Sequence, residues 1–212
     1  MSEDVVYGRQ PVREALRGRR AVREVLATAK ARESLPWLAE ADCPVREADA
    51  GEIGNLAHSA DHQGVVARVA PFPYADPDEL LEGPAPLVIA LDGVTDPHNL
   101  GAIARSAECA GAVEHLPIAV APNLADWLGR AKRPGLWTYA AAADGAVPYA
   151  EADYTDGCVF VLGAEGAGLR PRVRAACDAA VALPINGRID SLNVSVAAGV
   201  LLFEAVRQRG AR

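Results

Sequence analysis

The sequence is poor in sulfur and in rings, with one Met, four Cys and 5% aromatic residues in 212. Cys43, Cys109, Cys158 and Cys177 stand far apart and form no Cys-x-x-Cys pair, which excludes a zinc ribbon or a dithiol redox motif and predicts reduced, buried thiols. No run of about 18 uncharged apolar residues occurs, so no membrane-spanning helix is expected. Met1-Ser-Glu-Asp4 lacks the basic start and apolar centre of a signal peptide, and a soluble cytoplasmic protein is the default expectation. His58 and His62 have the i, i+4 spacing of a helical metal pair. The segment His58-Ser-Ala-Asp-His62 lacks the Glu of the zinc-protease pattern and a third ligand, so a polar loop without metal is expected. Positive charge is also in deficit. A net charge of -7 argues against a grip on nucleic acid by bulk electrostatics alone.

Half of the residues are hydrophobic, enough for a substantial core in one large domain or two modest ones. Charge is uneven along the chain. Between Arg9 and Arg32 lie Arg9, Arg13, Arg17, Arg19, Arg20, Arg23, Lys30 and Arg32 against Glu14, Glu24 and Glu33, either a phosphate-contacting surface or a solvated helix face. Pro11 to Arg17 reads as a short amphipathic helix, while Ala21 to Ala27 fits strand or helix by pattern. Residues 33–41 and 50–57 read as helices and 64–70 as a strand, which Pro71, Pro73 and Pro77 end. The division expected is a first domain over 1–70, a proline-rich linker over 71–85 and a second domain over 86–212.

The second domain alternates between buried-type strands and helices, an α/β pattern. Pro86-Leu-Val-Ile-Ala-Leu-Asp92 is apolar on successive residues, as a strand covered on both faces would be. Asn99 can cap the helix that follows, with Leu100, Ile103, Ala104 and Ala107 as its buried stripe and Gly111 as its stop. Further strands are expected at 116–120, 136–140, 158–162 and 180–183. Helices are expected at 123–130, 171–177 and 193–208, the last with Val196, Gly199, Val200 and Phe203 along one side. Asp92 and Asp96 read as turn formers.

Three of the strands end in polar or glycine-rich turns, at 91–111, 161–169 and 183–195. Ligands of open α/β sheets bind at the carboxyl ends of strands, so three such turns predict one composite site. The glycines of Gly163-Ala-Glu-Gly-Ala-Gly168 run G-x-x-G-x-G, the reverse of the dinucleotide fingerprint, which disfavours a nucleotide-dependent oxidoreductase.

Asn99-Leu-Gly-Ala-Ile-Ala-Arg105, Leu162-Gly-Ala-Glu-Gly-Ala-Gly168 and Ser191-Leu-Asn-Val-Ser195 resemble, in order, the three motifs of the SpoU family of RNA ribose 2'-O-methyltransferases, within the SPOUT superfamily. Val6-Tyr-Gly-Arg-Gln-Pro-Val-Arg-Glu-Ala-Leu16 and His62-Gln-Gly-Val-Val66 resemble the start and end of the small RNA-binding domain that many members carry. The resemblance implies a parallel-sheet SPOUT domain with a C-terminal trefoil knot, preceded by a small α/β ribosomal-protein-like domain in which Ala21 to Ala27 is a strand. It implies S-adenosylmethionine as cofactor, held largely by main-chain groups at Gly163, Leu183 and Leu192, and a homodimer. Asn99, Arg105, Glu165, Ser191 and Asn193 match the family's polar site residues, and Arg9, Arg13 and Arg105 are the candidate RNA contacts. Because arginine stays protonated in proteins, Arg105 is better suited to clamp phosphate and developing alkoxide than to act as a free base.

The substrate implied is structured RNA, ribosomal RNA ahead of transfer RNA. Members run from the first motif helix into a strand, a polar loop and a further helix, whereas here Ala110-Gly111 joins almost directly to Ala112-Val-Glu-His-Leu-Pro-Ile-Ala-Val120. About one strand-plus-helix unit is therefore expected to be absent. An RNA-binding protein that kept the fold and lost turnover is the alternative that this shortening raises.

Overall fold

A computed structural model describes residues 3–18, 20–110, 116–185, 187 and 191–210. It resolves two compact units, divided between Pro73 and Tyr74. The junction at Gly111 and Ala112 lies outside the described residues.

The first unit contains β1 (Asp4–Tyr7), α1 (Arg9–Arg17), β2 (Val22–Ala27), α2 (Ala29–Ser34), β3 (Val45–Glu47), α3 (Ala50–Ala57) and β4 (Val65–Val69). Its sheet runs β1-β4-β2-β3, with β2 and β3 parallel and the other pairs antiparallel. Strand alternation sends Val65, Ala67 and Val69 of β4 to a core shared with Val12 of α1 and Ala31 of α2, and Val66 to a second core with Ile53 of α3. Burial on both faces explains why β4 reads as an apolar run. The helix expected over 33–41 starts earlier and ends sooner. Thr28 caps α2 by accepting from the Ala31 N–H, and Pro36 disfavours helical geometry at Leu35, leaving only a 3-10 turn at Pro36–Leu38.

The second unit contains β5 (Leu87–Asp92), α4 (Pro97–Cys109), α5 (Leu124–Ala131), β6 (Leu136–Ala141), β7 (Val147–Pro148), β8 (Gly157–Gly163), α6 (Pro171–Ala176), β9 (Ala179–Ala182) and α7 (Val194–Gly210). All its strand pairs are parallel, in the order β5-β8-β6-β9-β7. Val159 and Val161 of β8 pack toward α5 and α6, with Trp127, Leu128 and Val173. Cys158, Phe160 and Leu162 face α4 and α7, with Ile103, Ala198 and Leu201. Two covered faces account for the unbroken apolar strands.

Several sequence expectations are corrected here. Residues 74–85 are not wholly a spacer: Leu81 is buried in the second unit's core, Asp78 accepts from the Trp127 indole N–H at 2.9 Å, and Arg133 donates to the Leu81 carbonyl. The strand expected at 116–120 is reduced to one bridge between Ala119 and Ala75. Leu100, expected in the buried stripe of α4, is exposed, because the stripe turns on Ile103. The core side of α7 is Val194, Ala198, Leu201, Leu202 and Ala205, whereas Val196 and Phe203 are exposed. No helix among the described residues is long and apolar enough to cross a membrane.

Candidate active site

The carboxyl ends of β5, β8 and β9 lead into the three motif turns. Asp92, the last residue of β5, lies in register with Gly163, the last of β8, so the first two turns begin side by side. Gly163 has to be glycine, since a Cβ there would overlap the Gly168 carbonyl group as the turn doubles back. Gly166 and Gly168 take positive φ of 76° and 67°, and the Gly168 N–H closes the turn on the Ala164 carbonyl at 2.8 Å.

The N-cap of α4 is Asp96, not Asn99. Its carboxylate accepts the His98 N–H at 2.8 Å, and Pro97 fills the position where the lost donor costs nothing. Asn99 thereby sits inside the first turn, 6% exposed, with its side chain free for other partners. Its Nδ2 donates to Asp96 Oδ2 at 3.3 Å and its Oδ1 accepts from Asn193 Nδ2 at 2.9 Å.

Asn193 opens α7 in the same manner. Its Oδ1 accepts from the Ser195 N–H at 2.9 Å, the Ser195 hydroxyl at 2.5 Å and the Val196 N–H at 3.4 Å. With the carbonyl so used, the amide hydrogens point the other way, one to Asn99 and one to Glu165 Oε1 at 2.5 Å. Asp96, Asn99, Asn193 and Glu165 thus form one hydrogen-bonded chain across all three turns.

Other candidates stand apart from that chain. Arg105 is exposed on α4, six residues and about 9 Å of rise beyond Asn99, and its guanidinium has no partner among the described residues. Ser191 is exposed and likewise without a hydrogen bond among them. Gly163 and Leu183 are half-buried and Leu192 is exposed, an apolar side chain at the mouth of the third turn. In the first unit, Arg9 is exposed on α1 and Arg13 is half-buried with its Nε unpartnered. Much of the local cation excess is already matched: Arg20 pairs with Asp4, Arg23 with Glu3 and Arg32 with Glu47. His58 turns out to be the left-handed C-cap of α3, and His62 Nδ1 accepts the Gly64 N–H. No cluster among the described residues could hold a metal ion.

Two contributors went unrecognised in the sequence. Asp96 could have been found as a cap, since Asp before Pro at a helix start is a recognised signal. Asp92 could not: only the fold shows that it is buried and bound to Arg170, whose N–H and Nε donate to it at 2.8 and 2.7 Å.

Comparison with known proteins identifies the family. The sequence model of the SpoU rRNA Methylase family matches residues 109–203, and that for RNA 2'-O ribose methyltransferase substrate binding matches residues 5–75. A 23S rRNA (guanosine-2'-O-)-methyltransferase RlmB of Pseudomonas syringae pv. tomato is 43% identical over 181 residues, covering 71% of this chain and 72% of that protein. An uncharacterized tRNA/rRNA methyltransferase of Synechocystis is 33% identical over 242 residues; this chain is covered to 98% and spans 63% of that protein's length. An alignment of 242 positions holding 98% of a 212-residue chain leaves about 34 positions of the relative unmatched. Among solved structures, the SpoU methyltransferase AviRb of Streptomyces viridochromogenes, in complex with AdoMet, is 26% identical over 99% of this chain and 91% of that one, with a TM-score of 0.78. With three motif turns converging at one end of the sheet and relatives of this identity, the chain belongs to the SpoU family of RNA methylases.

Proposed function

We propose that this protein transfers the methyl group of S-adenosylmethionine to the ribose 2'-hydroxyl of a nucleotide in structured RNA, ribosomal RNA ahead of transfer RNA. The observation that carries the reading is the chain Asp96, Asn99, Asn193 and Glu165, which ties all three motif turns into one polar site. The Pseudomonas relative is named for a guanosine in 23S rRNA, and AviRb was crystallised with AdoMet.

The residues present fit such a cofactor. Glu165 is held by a neutral amide and not by Lys or Arg, so its exposed negative charge suits a cationic sulfonium and disfavours a dinucleotide's pyrophosphate. The space beside Gly166 and Gly168 is open, and Leu192, next in sequence to Asn193, offers an exposed apolar surface. Gly163, Leu183 and Leu192 are the residues that would hold the cofactor, largely through main-chain groups. The bound cofactor supplies an electrophilic methyl group, and the protein's task is to place the hydroxyl in line and to stabilise its deprotonation.

Arg105 serves that second task. Without a partner among the described residues, its guanidinium is available to clamp a substrate phosphate and the developing alkoxide, so the proton is lost to water at lower cost. Asn99 and Asn193 fix the turns, while Glu165 and Ser191 present polar groups to the ribose. The first unit docks the RNA with Arg9 and Arg13 of α1; unpaired nucleotides in loops display both bases and 2'-hydroxyls to such a two-part reader. The same reading carries a trefoil-knotted SPOUT topology, supported by the parallel sheet and the likeness to a solved SpoU methyltransferase. It also carries a homodimer, supported by exposed Leu100, Val196 and Phe203 on the adjacent helices α4 and α7, and action in the cytoplasm, where ribosomal RNA is matured.

Titration with S-adenosylmethionine and with its demethylated product by calorimetry tests the reading. Micromolar binding, about -8 kcal/mol, is expected, followed by transfer of labelled methyl to ribosomal RNA fragments. A second reading, an RNA-binding protein without turnover, is favoured by the roughly 34 unmatched positions. Failure of a folded protein to bind either compound would select it.

A further inference from the structure

We propose that Asp92 and Arg170 form a positioning clamp that presets the glycine turn 163–169 for cofactor binding; this rests on the methyltransferase reading above. The side chain of Asp92 is fully buried at the carboxyl end of β5, where an unpaired carboxylate would be strongly disfavoured. One residue satisfies it: the Arg170 N–H and Nε donate at 2.8 and 2.7 Å, and Nη2 completes the ion pair at 2.6 Å. The side chain of Arg170 is 69% exposed, so little besides this contact fixes its place.

The clamp holds the exit of the turn. Entry is held by β8, whose last residue, Gly163, is in register with Asp92 itself. Between these points the chain passes Gly166 and Gly168, both at positive φ and with nothing packed where a side chain would be. Glycines have the widest conformational freedom, so a turn built on them stays in one shape only if its ends are fixed. One end without the other would leave main-chain groups to be ordered at the moment of binding, a cost that appears directly as weaker affinity. Asp92 also precedes Gly93, at φ 74°, where the chain turns toward the Asp96 cap. It therefore joins the first motif turn to the second by a contact separate from that of Asn193.

The test uses the whole protein and reads S-adenosylmethionine affinity by calorimetry alongside KM and kcat for methyl transfer. Arg170→Ala and Asp92→Asn should each weaken cofactor affinity on the order of 10-fold, raising its KM while kcat at saturation and KM for RNA stay within about 2-fold. Because both remove one contact, the double variant should lose on the order of 10-fold and not 100-fold. Unchanged affinity in Arg170→Ala, independent losses that multiply in the double variant, or a fall in kcat with affinity retained would each overturn the clamp. Should Asp92→Asn fail to fold, Arg170→Ala compared with Arg170→Lys decides alone: Lys keeps a charge for Asp92 and should recover part of the affinity. If the unaltered protein binds no cofactor, the methyltransferase reading itself has failed; if it binds and the variants bind equally, only the clamp has.

Discussion

Replacing Asn193 by Ala removes two things at once, and the structure sets the size of each. The side-chain oxygen caps α7 through the Ser195 and Val196 N–H groups, and losing a cap costs about 1 kcal/mol. The amide also donates to Asn99 Oδ1, and Asn99 is only 6% exposed, so its orphaned acceptor adds about 1 to 3 kcal/mol. Glu165 is exposed and regains water, contributing little. The sum, about 2 to 4 kcal/mol, should lower Tm by roughly 5 to 15 °C for a unit of this size. Asn193→Ser separates the parts, because Ser retains a capping oxygen but cannot reach across to Asn99. The Ser variant should be more stable than the Ala variant by about 1 kcal/mol, while both lose methyl transfer by roughly 10- to 100-fold. Calorimetric melting and labelled-methyl transfer to ribosomal RNA measure the two effects. An Ala variant within about 0.5 kcal/mol of the parent that methylates at the parent rate would refute the idea that this amide holds the site together.

Arg105→Ala should lower methyl transfer on the order of 100-fold while leaving Tm and cofactor affinity unchanged, since its guanidinium has no partner among the described residues; a parallel loss of cofactor affinity would move Arg105 out of the role given to it. Gly163→Ala should abolish cofactor binding and lower Tm, because the added methyl overlaps the Gly168 carbonyl group; melting curves and calorimetry would report both, and normal binding would show that the turn relaxes freely. Alkaline stability is predicted with a definite sign. Burial pushes the Cys158 and Cys177 thiols up to about 11 from 9.0 and the Tyr139 hydroxyl up to about 12 from 10.0. The folded state thus holds these protons more tightly than the unfolded one, so stability is complete below pH 9 and falls as pH rises from 9 to 12. Tm should be level from pH 7 to 8.5 and decline above pH 9, and a thiol reagent at pH 8 should reach exposed Cys109 well before Cys158; a level Tm to pH 11 would contradict the burial argument.

Strands β5, β6, β8 and β9 were legible because burial on both faces imposes an unbroken apolar run, as in Cys158 to Leu162, and a run of that kind between turn residues has few other readings. That the three motif turns lie at one end of the sheet was legible for a related reason: polar and glycine residues directly after such runs lie at the carboxyl ends of parallel strands. What could not be read was the division of labour among neighbouring polar residues. Asn99 and Asp96 are both good caps by type, and only the geometry shows that Asp96 takes the helix and leaves Asn99 for Asn193. Which side of α7 faces the core could not be read, because Val196 and Phe203 are as apolar as Leu201 and Leu202; periodicity gives a stripe but not which way it faces when both sides of the helix are apolar. Asp92 was unreadable for a third reason, since its partner is 78 residues away.

A shortening after Gly111, expected from the sequence, would bear on activity through the order of the sheet. The match to the SpoU rRNA Methylase family starts at residue 109, close to Gly111, and about 34 positions of the Synechocystis relative find no counterpart. The turns that carry the site follow β5, β8 and β9. Among the described residues β5 is an edge strand, paired with β8 over all six of its residues and with no strand on its other side. Since the Cys158 N–H bonds to the Pro86 carbonyl, the parallel pattern turns the peptide groups of Leu87, Ile89 and Leu91 outward to the free edge. These residues carry no charge and no proline, the usual guards of an edge, so β5 has the chemistry of an interior strand at a border position. A strand absent from beyond β5 would leave the β5–β8–β6–β9 ladder continuous, and with it the hydrogen bonds from Asp96 to Glu165. Cofactor binding and methyl transfer are therefore expected to survive the shortening, whose cost falls on the unguarded edge.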